Sequence, residues 1–407
     1  MLFFSHAQLV FVFGLPYISF HERSHIMKVN GIVAEYNPFH NGHLYHLNKV
    51  REMYPNSIII LVTNGYFTQR GDISIISKKD KTSLCLDMGI DLIIELPFPF
   101  ATQSADIFAH GAISILNYLN VKKVIFGSEC NDINLLNKIV DIQLYNEDYK
   151  TKVKTYLNNG LNYPTALSNA LNDLTNIKIN LPNDLLGISY IKAVKELKAN
   201  IEPICIQRTT DYHTSHINNN ITSASNIRRM ILKKDNIDNL VPNELLKYPL
   251  IDKSFNDFFS LLKYKIISEQ KHINIYQTVD EGFENRIIKN IYNSDSIYEL
   301  IEKCKTKRYT YNKINRMFVH ILCSFTKEEA KKYKDILYIR VLGFNKKGQN
   351  YLKQIKKDIN IPIITKVSDS NNEMLLLEQK VTNIFSLILD NDNITKEEYQ
   401  SFPIIKD

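Results

Sequence analysis

Short continuous apolar runs, amphipathic stretches between them, and glycines gathered in the first half of the chain predict an α/β fold. Its core is expected to be a Rossmann-like, doubly wound parallel sheet, followed by a mainly helical C-terminal domain. The apolar runs are Gly31 to Ala34, Ser57 to Val62, Leu92 to Leu96, Lys123 to Phe126 and Ile201 to Ile206. Their length and lack of alternation suit parallel strands buried on both faces. His43 to Glu52 and Lys79 to Met88 carry helical spacing, as right-handed crossovers between such strands require. Of the 13 glycines, only Gly282, Gly343 and Gly348 follow Gly187. Turns use glycine and long helices avoid it, so the character of the chain changes along its length.

In chain order, residues 1–26 read as an extension outside the fold. Leu2 to Phe20 is strongly apolar, yet no Lys or Arg precedes it and no small-residue cleavage site follows. Ser5, His6, Gln8, Gly14 and Pro16 interrupt it, so it is a poor membrane span and no membrane partner is expected. The fold should begin near Met27. Residues 27–240 are assigned to the α/β domain, with the Asn-rich stretch 131–182 as a helical insertion outside the sheet. Residues 241–407 form the mainly helical domain, with one possible strand from Ile336 to Leu342. Two domains are a reasonable reading of 407 residues.

A chain 44% hydrophobic and 23% charged can bury an ordinary globular core. Its net charge of +7 does not by itself argue for nucleic acid. Five widely spaced cysteines without a C-x-x-C pair fit neither a disulfide framework nor a zinc site, and they suggest a reducing cytoplasm.

The chemistry is concentrated after the first strand. There Glu35-Tyr-Asn-Pro-Phe-His40-Asn-Gly42-His43-Leu-Tyr-His46 leads through a Pro-containing loop into a helix. Ligands of open α/β sheets bind at the carboxyl ends of the strands, where the next helix aims its free N–H groups and positive dipole at an anion. His40 and His43, three apart, share one helix face and can donate to a departing pyrophosphate. Gly42 leaves room for a nucleotide to approach the backbone. A zinc site would need a third ligand and a base, and no H-E-x-x-H pattern supports His46 in that role.

This H-x-G-H pattern resembles the signature of the nucleotidylyltransferase superfamily, which implies a second phosphate-binding element after the last strand. Thr222-Ser-Ala-Ser225-Asn-Ile-Arg228-Arg229 is similar to the superfamily's I-S-S-T-x-I-R motif. Ser223 or Ser225 would cap the following helix, and Arg228 would hold the β- and γ-phosphates. The chain is short for an aminoacyl-tRNA synthetase and lacks a K-M-S-K-S-like loop. Further blocks narrow the likeness: Gln69-Arg-Gly71, Ala101 to Ala105, Phe126-Gly-Ser-Glu129, Leu181-Pro-Asn183, Glu281 to Arg286, Lys307 to Tyr311 and Arg340 to Gly343. Together they resemble the bacterial tRNA(Met) cytidine acetate ligases from about Met27 to the C-terminus.

That resemblance implies ATP as co-substrate, acetate as the acid activated, and transfer of acetyl to N4 of the wobble cytidine of elongator tRNA(Met). It also implies an ATP loop made by Val33, Ala34, Glu35, Tyr36, Asn37, Pro38, Phe39, His40, Asn41, Gly42, His43, Leu44, Tyr45 and His46. Gly127, Asn183 and Arg208 match the remaining ATP contacts, joined by Ser223 and Ser225. His40, His43 and Arg228 are the expected catalytic residues. Mg2+ is expected with ATP, but no acidic cluster identifies its ligands. No obligate protein partner is evident. The alternative is an adenylyltransferase that moves AMP to a small phosphorylated metabolite.

Between Lys303 and Lys357 lie sixteen Lys or Arg against the acids Glu328, Glu329 and Asp335. Such a stretch can neutralise an RNA backbone, with Lys307, Arg308, Lys313 and Arg316 as the expected tRNA contacts. Tyr309, Tyr311 and Tyr333 are interleaved, where they are expected to stack on unpaired bases.

Overall fold

The computed structural model describes residues 28–208, 220–389 and 393–407. The expected N-terminal extension lies outside the described residues. The first half alternates strand and helix: β1 (Val29–Val33), α1 (Asn41–Met53), β2 (Ile58–Asn64), α2 (Lys78–Asp87), β3 (Leu92–Leu96), α3 (Phe98–Ala101), α4 (Ala105–Tyr118) and β4 (Lys123–Ser128). The Asn-rich stretch then folds as α5 (Ile133–Tyr145), α6 (Glu147–Asn158) and α7 (Tyr163–Thr175). α8 (Pro182–Glu196) returns the chain to β5 (Glu202–Gln207), and α9 (Ala224–Lys233) follows. Each predicted apolar run is a strand. β5 lies at the sheet edge, the one place where a strand tolerates a proline such as Pro203.

The later chain is mostly helix: α10 (Phe259–Ser268), α11 (Phe283–Ile291), α12 (Ile297–Cys304), α13 (Tyr311–Leu322) and α14 (Lys327–Lys332). It then supplies β6 (Ile339–Phe344), α15 (Lys346–Ile355), β7 (Ile363–Ile364), α16 (Glu373–Ser386), α17 (Asn393–Gln400) and β8 (Ile404–Ile405). The strand expected from Ile336 to Leu342 is thus β6. It pairs antiparallel with β3, so the hydrogen-bonded sheet runs on past residue 240.

The strand order is β5-β4-β1-β2-β3-β6-β7, with β8 also on β6. From β1 the chain moves outward to β3, then crosses to the other side of β1 for β4 and β5. The carboxyl ends of β1 and β4 therefore form the switch point where a ligand crevice opens. Helices cover both faces, which is why the strands show no hydrophobic alternation. Ile58, Ile60 and Val62 pack into the larger core, which continues among α10–α13. Ile59 and Leu61 face a smaller core with Phe39, Leu47 and Ile227.

Candidate functional site

The loop after β1 is held in an unusual conformation. Tyr36 has φ 46°, where side chains other than glycine are strained, and its ring sits 4.6 Å from Phe39 and 4.8 Å from His43. Asn37 pins the loop to its neighbour: its Nδ2 donates to the Ile73 carbonyl at 2.7 Å and its Oδ1 accepts from the Ile75 N–H at 2.9 Å. The chain then enters α1 at His40, which is itself the helix cap.

The cap is a reciprocal box built from imidazoles. His40 Nδ1 accepts from the Gly42 N–H at 3.0 Å, and His43 Nδ1 accepts from the His40 N–H at 3.3 Å. Both rings are thereby assigned the tautomer with the proton on Nε2. The rings stack with centroids 3.7 Å apart. Burial, then the Arg208 and Arg228 charges, lowers the His40 pKa to about 3. Burial, then its histidine and arginine neighbours, lowers His43 well below the ordinary value, and the Pro38 carbonyl opposes this only in part. The pair is therefore neutral and offers Nε2–H donors without carrying charge. A Cβ on residue 42 would meet His40 Cε1 at 2.9 Å, so Gly42 also keeps the cap ring in place.

The second motif caps its helix as its residue types suggest. Ser223, not Ser225, caps α9 by accepting from the Asn226 N–H at 3.2 Å. One helical turn on, Arg228 reaches back to the first loop. It donates to the Asn37 carbonyl at 2.8 Å and pairs with Asp72 at 3.1 Å. From the β4 side, Glu129 receives Asn183 Nδ2 at 2.6 Å and the Asp184 N–H at 2.9 Å, which places Asn183 at the N-terminus of α8. Arg208 Nη1 donates to Asn183 Oδ1 at 3.5 Å. A Cβ on residue 127 would press on Arg208 Cγ at 3.2 Å, so the small side chain of Gly127 is needed first to let Arg208 pass.

These groups surround one cavity of about 910 Å³, large enough for a nucleotide and more. Val33, Ala34, Glu35, Tyr36, Asn37, His40, Gly42, His43, Tyr45, His46, Gly127, Asn183, Arg208, Ser223, Ser225 and Arg228 line it. Pro38, Phe39, Asn41 and Leu44 do not. Phe39 is instead fully buried in the smaller core, and Asn41 Nδ2 ties α1 to the carbonyls of Asn220 and Asn239. Among the described residues the buried Nε2 of His46 has no hydrogen-bond partner, and its pKa is lowered to about 4 by burial and then by Arg208.

The same cavity runs to the C-terminal helices. Arg308, Lys313 and Arg316 line it, whereas Lys307 is exposed elsewhere and its carbonyl accepts from Asn162 Nδ2 at 3.1 Å. Arg308 is paired with Glu281 at 2.5 Å. Two of the expected stacking tyrosines are committed to the fold. Tyr309 is buried with Phe283 stacked at 4.1 Å on one side and Lys313 Nζ 3.8 Å from the ring centroid, and Tyr333 is also buried. Neither offers a free face to a base, because the core claims aromatic area that sequence alone counts as surface.

The loop Thr68 to Asp72, of which the sequence marks only Gln69-Arg-Gly71 as a motif block with no role attached, joins Glu35, Arg228 and α13. The Gln69 N–H donates to Glu35 Oε1 at 2.6 Å, and Asn315 of α13 donates to the Arg70 carbonyl at 3.1 Å. Arg316 Nη1 reaches the Gln69 carbonyl at 3.4 Å. Gly71, at φ 84°, packs so closely on α13 that a Cβ would lie 2.7 Å from the Arg316 nitrogen.

A family model described as HIGH nucleotidyl transferase matches residues 27–401. The chain is 40% identical over 403 residues to the tRNA(Met) cytidine acetate ligase of Clostridium perfringens strain SM101, covering 93% of this chain and 100% of that one. Identity to the tRNA(Met) cytidine acetate ligase of Oceanobacillus iheyensis is 37% over 396 residues, 92% and 99% of the two chains. The chain belongs to the tRNA(Met) cytidine acetate ligase family. Its fold is similar to that of Thermotoga maritima TmcAL, with TM-scores of 0.86 for an apo form and 0.84 for a form bound with alpha-thio ATP. In each case identity is 28% and the match covers 93% of this chain and 99% of that chain. The family read from the motif blocks is thus confirmed, as is the α/β class. No helix among the described residues is long and apolar enough to cross a membrane.

Proposed function

We propose that this chain uses ATP to convert acetate into acetyl-adenylate and then transfers the acetyl group to N4 of the wobble cytidine of elongator tRNA(Met). The observation that carries the reading is the stacked, neutral His40–His43 pair at the carboxyl end of β1, with Arg228 and Arg208 on the same cavity. An acetate oxygen attacks the α-phosphorus, the new C–O–P linkage forms, and pyrophosphate leaves. Charge gathers on the leaving group, where two Nε2–H donors and two guanidiniums gain strength in the transition state. No nucleophilic side chain is needed for this step. Relatives that are tRNA(Met) cytidine acetate ligases, and a structural neighbour bound with alpha-thio ATP, support the same assignment.

Among the described residues, no group of three or more His, Cys, Asp or Glu side chains could hold a metal ion. The described residues therefore identify no resident magnesium site, and we place Mg2+ with the triphosphate itself. We assign the tRNA to the cavity-lining Arg308, Lys313 and Arg316 and to the exposed Lys307. Residues 27–240 bind the nucleotide and 241–407 the RNA, in the cytoplasm.

Acetate-dependent exchange of labelled pyrophosphate into ATP, followed by mass spectrometry of the wobble nucleoside after incubation with ATP, acetate and tRNA, tests the reading. Exchange that needs no carboxylic acid, with no acetylcytidine formed, would point to AMP transfer onto another acceptor.

A further inference from the structure

We propose that Glu35 is the catalytic base of acetyl transfer, accepting the proton that the cytidine N4 amine loses as it is acylated. The proposal rests on the reading above that the acceptor is a cytidine amine. Its starting point is a carboxylate placed where a site for anions should not want one. ATP and acetate are both negative, and a carboxylate lining their cavity opposes each of them. Glu35 nevertheless stands there, immediately past β1 and five positions before His40.

Its surroundings do not neutralise it. Oε1 accepts from the Gln69 N–H at 2.6 Å. No salt bridge reaches Glu35 among the described residues, and no hydrogen bond there engages Oε2. The side chain is half-buried, enclosed by protein yet open to the cavity. The charged groups that act on it come from several elements: Lys81 of α2, Arg70 of the loop after β2, and Arg228 of α9. Tyr190 of α8 also faces it as a neutral phenol. Burial raises the Glu35 pKa despite the Gln69 N–H and these cations, so the carboxylate is a stronger base than one in water.

Position supplies the second argument. Gln69 is the link between Glu35 and the C-terminal cations, because its N–H binds the carboxylate and its carbonyl accepts from Arg316. Glu35 thus lies between the histidine pair that faces the phosphates and the helix assigned to RNA. An exocyclic amine arriving from that side is a hydrogen-bond donor and needs an acceptor. The N4 nitrogen attacks the carbonyl carbon of acetyl-adenylate, and the C–N bond forms. The bond from that carbon to the AMP phosphate oxygen breaks, AMP leaves with the electron pair, and the N4 proton passes to Glu35.

Glu35→Gln keeps the size and retains an oxygen for the Gln69 N–H. Acetate-dependent pyrophosphate exchange and single-turnover transfer from preformed acetyl-adenylate to tRNA should be measured across the acid range. The ratio of transfer to exchange should fall about 100-fold. The wild-type loss of transfer rate on acidification should vanish with it, and Glu35→Asp should recover part of the rate and the acid limb. Equal losses in both half-reactions, or transfer at the wild-type rate, overturn the proposal. Wild-type protein lacking acetate-dependent exchange would instead sink the parent reading, and this proposal with it.

Discussion

At the seam between β3 and β6, Lys78 meets Glu95, Glu378 and Glu398 at 2.6, 3.0 and 3.1 Å, and Arg340 meets Glu95 at 2.7 Å and also pairs with Glu398. At the crevice between β1 and β4, the buried Nε2 of His46 and Nε of Arg316 have no hydrogen-bond partner among the described residues, and Glu35 has no salt bridge there. Both regions put polar groups where water is scarce, and desolvation costs each of them several kcal/mol per ion. Only the first pairs every one of these charges with its own side chains. It joins residues from β3, α2, β6, α16 and α17, so its charges hold distant parts of the chain together. The second is left incomplete, as a surface must be if a ligand is to complete it. Arg316 shows the consequence: burial, then the nearby Arg70, pulls its pKa down to about 10.

If this contrast is right, the largest effect should come from breaking the paired region. Glu95→Ala removes the carboxylate shared by Lys78 and Arg340 and should cost about 3–5 kcal/mol of folding free energy, read by chemical denaturation. A loss under about 1 kcal/mol would mean that the cluster is not structural. In the crevice the cost should move from stability to chemistry. His43→Ala should slow acetate-dependent exchange about 10²–10³-fold. It should cost only about 1 kcal/mol of stability through the lost cap, and tRNA affinity should stay near that of the parent protein. Joint loss of exchange and tRNA binding would indicate unfolding instead.

Two smaller effects sharpen the comparison. Arg316→Met removes a cation that forms no ion pair among the described residues, so the denaturation midpoint should hold or rise while tRNA binding weakens. A clear fall in midpoint would show that Arg316 supports the fold. Acidification should act in opposite directions through Glu378 of the first region and through His40 and His46 of the second. Burial and the neighbouring carboxylates raise the Glu378 pKa to about 7, because three carboxylates share two cations. The folded state therefore takes up a proton before the unfolded state does, and this contribution is fully present below the ordinary carboxyl range and fades as pH rises through about 7. His40 and His46 are lowered to about 3 and about 4, so the unfolded state binds protons first and stability is lost as pH falls below 6.5. Comparing denaturation midpoints of the parent and Glu378→Gln across this range isolates the first term. Identical pH curves would remove Glu378 from the account.

The crevice was more legible in sequence than the cluster. His40, Gly42 and His43 lie six to nine positions after the end of an apolar run, and a helix start makes their geometry local. Ser223 and Arg228 are equally local, one a cap and the other a turn into the helix. No comparable signal marks Lys78, Glu95, Arg340 and Glu398, which come from separate elements and read singly as surface charges. Tyr309 and Tyr333 differ in the opposite sense: their spacing among basic residues predicts exposed platforms, whereas Phe283 stacks on Tyr309 and both rings are buried.

By itself, the sequence determined which segments are strands, where the crevice histidines sit, and that Arg228 would stand in the first turns of a helix capped by a serine, since each depends on periodicity and short spacing. The tertiary structure alone decided that β6 would close the sheet against β3, that Gln69 would join Glu35 to Arg316, and which buried charges would be paired. Those outcomes depend on strand order and on contacts between residues more than 200 positions apart, such as Asn315 with Arg70 and Arg340 with Glu95. Composition near either residue carries no record of its partner, because the pairing is set by how the whole sheet is wound.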